Sequence, residues 1–153
     1  MAAPTATRAQ VFNLTTPYLT QGITSDERAR TDLLHVMMKV YADGGENRMH
    51  AHVHEDHSFI VLEGQATFHI DTEDNVRVLR PHEGVMLPKG TFYRFQSSGP
   101  GNLVMLRVGA SQPGAGYEAI YPDGVRKAAE HEPWGQVERT EAPGRQFGEV
   151  PPG

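Results

Sequence analysis

The chain contains no cysteine. Disulfides, thiolate metal sites and a cysteine nucleophile are therefore all excluded. Nowhere do 18 apolar residues run together, and residues 1–12 lack the apolar centre of a secretion signal. Neither a membrane helix nor an export signal is expected, which makes a cytoplasmic location the default. There is no cluster of Lys and Arg, and the formal net charge is -5. Nucleic acid and anionic membrane are poor partners for such a surface.

What the chain does have is turn formers, with 16 Gly and 11 Pro in 153 residues, and a modest 38% of hydrophobic residues. That length suits one domain, and the Gly/Pro content suits many short strands. Leu33 to Tyr41 is the first clear strand. With Lys39 facing water, Leu34, Val36, Met38 and Val40 are expected to face inward. Further strands are read at Phe59–Leu62, Ala66–Asp71, Val76–Leu79, Val85–Leu87, Phe92–Gln96 and Leu103–Val108. Thr72–Asn75 and Pro88–Gly90 carry turn signals between them. Thr24–Arg28 reads equally as a capped helical turn or a loop, and Val125–Glu130 as a short helix. Leu103 to Val108 is apolar on both faces, so Leu103 and Met105 require cover from a terminal arm or a partner subunit, and a homodimer is expected. Short strands at regular spacing indicate an all-β sandwich or barrel.

The chemistry concentrates between Gly44 and Gly64. Four of the eight histidines, His50, His52, His54 and His57, fall within eight positions. On an extended strand His50, His52 and His54 share a face, and a bend at Glu55-Asp56 can return His57 to the same point. Converging imidazoles suit a divalent ion of borderline softness such as zinc, iron, nickel or copper. Glu55 and Asp56, at a turn, are expected to be solvated. His35, His69, His82 and His131 are isolated and read as structural.

The spacing Gly44, five residues, His50-x-His52, four residues, His57, six residues, Gly64 resembles the first motif of the cupins. Their second motif has a counterpart in His82, five residues, Pro88-x-Gly90, two residues, Tyr93. Three identities depart: His57 replaces Glu, His82 replaces Gly, and Tyr93 replaces the final His. The resemblance covers about residues 33 to 108. It implies a double-stranded β-helix barrel of the jelly-roll kind, with residues 33–110 as barrel core; 1–32 then form an N-terminal arm and 111–153 a C-terminal extension, whose weakly periodic residues 141–153 read as a loose tail. It also implies His50, His52 and His57 as metal ligands.

Three neutral imidazoles leave a divalent ion its full charge of about +2. Such a site favours a small anionic chelating substrate: an enolate, a phenolic acid or a hydroxy acid. The resemblance spans oxygenases, isomerases, lyases and non-catalytic binders, so fold alone does not choose among them. The leading expectation is a non-haem Fe(II) dioxygenase. A redox-neutral enzyme using Zn, Mn or Ni stands second, and a ligand-binding cupin without turnover third. Tyr93 is the catalytic candidate, as ligand, proton donor or pocket wall.

Overall fold

The computed structural model describes residues 8–42, 48–128 and 137–150. Gly44, His131 and Trp134 lie outside the described residues. Twelve strands follow one another: β1 (Leu19–Gln21), β2 (Ile23–Arg30), β3 (Leu34–Tyr41), β4 (Ala51–His52), β5 (Glu55–Glu63) and β6 (Ala66–Ile70). Then come β7 (Val76–Leu79), β8 (Gly84–Leu87), β9 (Tyr93–Ser97), β10 (Leu103–Ser111), β11 (Ala119–Ile120) and β12 (Thr140–Glu141). Among the described residues there is no helix, so none is long and apolar enough to cross a membrane.

A five-stranded antiparallel sheet runs β2-β3-β10-β5-β8, and a three-stranded sheet runs β7-β6-β9. Their inner faces share one core. Tyr41, Phe59, Val61, Leu103 and Met105 come from the larger sheet, and Ala66, Phe68, Tyr93 and Phe95 from the smaller. Phe59, Phe68 and Phe95 pack with ring centroids 5.1–5.5 Å apart. Burying each such ring contributes about 1.5–3 kcal/mol, which joins the two sheets where period-2 alternation aims their side chains. The turn at Gly64 holds them close: its φ is +85°, and a Cβ there would meet Asn102 O at 2.5 Å. Only glycine fits. His82, where the cupin pattern has glycine, is exposed and likewise has a positive φ of 74°.

The facing of β3 is the reverse of the expectation. Met38 and Val40 belong to an outer cluster with Leu19 and Val104, over which Leu14, Tyr18 and Phe147 pack. Lys39 and Tyr41 point into the barrel. The register explains this, because Lys39 pairs with Met105 and Tyr41 with Leu103, both core residues. Alternation sets which residues share a face, and a lysine in the apolar run pointed to the wrong one as outer. The cover that β10 needs on its outer side is supplied by the chain's own termini.

Those termini are built in. Thr24–Arg28, read as helical turn or loop, lies within β2 and pairs with β3. β12 pairs with β1, and Phe147 forms a β-bridge with Thr16, so residues 140–147 are docked and not loose. The short helix expected from Val125 is not formed over residues 125–128, where Arg126 bridges Ile120 instead. Residues 129–130 of that expectation lie outside the described residues.

Candidate metal and substrate site

Backbone pairing brings the two motifs together. His50 N donates to Tyr93 O at 3.0 Å and Tyr93 N donates to His50 O at 2.9 Å. Tyr93 is thereby placed against the first histidine, with ring centroids 4.7 Å apart. β4 carries His52 beside β11, and the extended start of β5 carries His57 inward. The rings of His50 and His52 lie 5.2 Å apart and those of His52 and His57 only 4.1 Å. All three imidazoles are buried. His54 stays outside the cluster, half-exposed, with Nε2 3.6 Å from Glu118.

Glu55 departs from its expected role. It is the first residue of β5, not a solvated turn residue, and its side chain is only 14% exposed. Its Oε1 lies 3.1 Å from His57 Nε2 and contacts His35 Nε2 from the other side. Gly109 makes room for this pair, since a Cβ there would overlap both Glu55 Oε1 and His35 Nε2. Single ligand atoms from His52, Glu55 and His57 lie within 4.8 Å of one another. The structure therefore adds a carboxylate that spacing did not select. His50 adjoins this group through its contact with His52.

The donors fit a divalent cation. His52 Nδ1 is buried without a hydrogen-bond partner among the described residues, an orphan that a ligand would satisfy. His50 Nδ1 donates to Arg48 O at 2.7 Å, which leaves Nε2 as the lone-pair nitrogen, the usual arrangement for a ligating histidine. Burial keeps both imidazoles neutral, His50 lowered to about 4 and His52 to about 2. Burial likewise lowers His57, opposed by Glu55. Burial pushes Glu55 up, but hydrogen bonds from His35 and His57 and the charge of Arg107 outweigh it and hold the carboxyl ionised.

Arg107 is a site residue that sequence reasoning missed. It is buried, and its Nη2 lies 2.6 Å from His57 Nε2, so guanidinium and bound cation would contend for one nitrogen. The signal was its register: Leu103, Met105 and Arg107 alternate onto the inner face, and Arg107 pairs with Phe59 on one side and Met37 on the other. Lys39 was missed for the same reason. Both line a cavity of about 260 Å³ together with His50, His52, Tyr93 and Lys127, closed by Phe59, Phe95 and Tyr117. Burial, with the like charges of Arg107 and Lys127, lowers Lys39 to about 7. Burial raises Tyr93 well above the ordinary phenol range, against a smaller opposing effect of Arg107. Its hydroxyl keeps its proton.

The sequence profile of the cupin domain family matches residues 37–109. No curated protein matches the chain. Among solved structures, an RmlC-like cupin family protein with a double-stranded β-helix fold from Methanocaldococcus jannaschii superposes with a TM-score of 0.58 at 15% identity, covering 71% of this chain and 95% of that one. KdgF from Halomonas sp. gives a TM-score of 0.55 at 18% identity over 61% and 82% of the two chains. A putative sugar phosphate isomerase from Acidithiobacillus ferrooxidans gives 0.52 at 18% identity over 71% and 67%. These similarities establish the double-stranded β-helix fold.

Proposed function

This chain belongs to the cupin superfamily, and from that premise we propose that it is a metal-dependent enzyme, an iron(II) dioxygenase acting on a small anionic chelating substrate. One observation carries the reading: two imidazoles and one carboxylate, from His52, Glu55 and His57, offer ligand atoms within 4.8 Å. Two histidines and a carboxylate with open positions are the donor set of non-haem Fe(II) oxygenases. Iron bound there would supply Lewis acidity toward the substrate's chelating oxygens and a redox-active centre through which the substrate's own electrons reduce dioxygen.

The chain's own residues do the rest. His52, Glu55 and His57 hold the ion, with His50 beside them as a further nitrogen donor. Glu55 cancels about one unit of its charge, and the remainder, together with Lys39 and Arg107, favours an anion. Phe59, Phe95 and Tyr117 wall the cavity and limit water. Tyr93, protonated and tilted against His50 at 4.7 Å between ring centroids, is placed to give a hydrogen bond or a proton to a substrate oxygen.

Tyr93 also supports a second reading. A neutral phenol beside a metal serves a redox-neutral isomerase or lyase using Zn, Mn or Ni, and the similar structure from Acidithiobacillus ferrooxidans bears a putative isomerase name. Metal analysis of untagged protein, with dioxygen uptake in the presence of candidate enolic and phenolic acids, tests the two. Bound iron with substrate-dependent uptake is expected. Zinc, manganese or nickel without iron, and no uptake, would replace the first reading by the second.

A further inference from the structure

We propose that the cavity holds a second anion subsite, formed by Lys39 Nζ and Arg107 Nε, which selects a substrate bearing a carboxylate or phosphate in addition to its chelating group. This deepens the functional reading above and rests on it for the chelating half alone.

Two cations on the cavity wall carry the argument, Lys39 half-buried and Arg107 buried. Lys39 pairs in register with Met105 and so faces the barrel interior, where alternation calls for an apolar side chain. Among the described residues it has no carboxylate within ion-pair distance, and its ammonium lies 5.7 Å from the Tyr41 ring. Arg107 is 9% exposed, and its Nε is buried with no hydrogen-bond partner. Its other nitrogens have neighbours: Nη1 lies 3.5 Å from Met37 Sδ, and Nη2 lies 2.6 Å from His57 Nε2 and 3.9 Å from Glu55 Oε1.

Buried charges in folded proteins are paired. Here the cavity wall contains no Asp or Glu, and the one carboxylate near Arg107, Glu55 Oε1 at 3.9 Å, faces Nη2 and leaves Nε unsatisfied. A partner for Lys39 and for Arg107 Nε must arrive with the ligand. Arg107 offers a directional N–H and Lys39 a compact charge, a combination that suits an oxyanion. At about 260 Å³ the cavity has room for only a small acid. His50 and His52 line the same space, so one molecule can meet the metal ligands and the two cations together.

The test is titration calorimetry with acetate, malonate and inorganic phosphate on zinc-loaded and metal-free protein. Malonate or phosphate is expected to bind the metal-free protein, and malonate to exceed acetate at least tenfold on the loaded protein. Lys39→Met should weaken malonate by about 10- to 100-fold, the value of a charge-assisted hydrogen bond, with acetate affinity and zinc content unchanged. Arg107→Lys, which deletes the Nε donor but keeps the charge, should weaken malonate to a lesser extent. Acetate and malonate binding alike would overturn the subsite, and that comparison needs no variant. So would unchanged malonate affinity in folded Lys39→Met. A protein that takes up no metal but binds malonate through Lys39 would refute the metal enzyme and leave the subsite standing. Zinc uptake without any preference for malonate would do the reverse.

Discussion

Acidification should unfold this protein from its buried histidine cluster outward. His50 and His52 are held neutral, with pKa values near about 4 and about 2 against 6.5 in a solvated chain. Their folded pKa values are depressed, so below about pH 6.5 the unfolded chain binds the protons and the native state does not. Stability is then lost as pH falls, continuing until the folded pKa values are reached. At about pH 5 each ring lies roughly 1.5 units below its unfolded pKa, which amounts to about 2 kcal/mol per ring and about 4 kcal/mol for the pair. Lys39, lowered to about 7, adds only a few tenths between about pH 7 and 5, since it is already half protonated at the start. His57 acts in the same direction as His50 and His52. A loss of about 4 kcal/mol is a large share of the usual 5–15 kcal/mol of a small domain. Urea unfolding with a chelator present, at about pH 7 and about pH 5, should show the midpoint falling by about 2 M for an m-value near 2 kcal/mol/M. His52→Asn should remove about half of that fall. A midpoint that moves by less than about 0.5 M would refute the premise that these rings are buried and neutral.

Glu55→Gln and His57→Ala should each strip most of the bound metal, whereas His54→Ala should leave it in place; elemental analysis after dialysis decides. Metal loss in His54→Ala with retention in His57→Ala would reassign the ligands. Tyr93→Phe should keep metal and fold while slowing turnover by about 10²- to 10³-fold, the usual cost of one well-placed donor, measured at saturating substrate. Unchanged turnover would reduce Tyr93 to a wall. Gly109→Ala should push the Glu55–His35 pair aside and weaken metal affinity more than a surface Gly90→Ala, as a competitive chelator titration would show.

The histidine spacing carried the fold and most of the site because backbone pairing is local to it. His50, His52 and Tyr93 meet through adjacent strands whose spacing the two motifs encode. Glu55, Lys39 and Arg107 were illegible for a different reason. Each is a charged residue in a stretch where charge normally marks the water side, and only cross-strand register shows it facing inward. Met105 opposite Lys39, and Phe59 opposite Arg107, are pairings between segments far apart in sequence. β2 escaped notice because Ser25, Asp26, Glu27 and Arg28 give it little apolar alternation. It is held by its partner β3, a tertiary effect that overrides weak propensity.

The clasp between the two ends of the chain sets an order of events during synthesis. Thr15 Oγ1 donates to Gly148 O across 133 positions, and Phe147 helps to close the outer cluster around Met38, Val40 and Val104. A ribosome that has released every strand through β11 has yet to deliver that lid. Contacts of such long sequence separation form late, and until then the outer face of the larger sheet is open to other nascent chains. A stop codon near residue 137 should therefore yield a protein with its candidate metal ligands complete and its solubility poor.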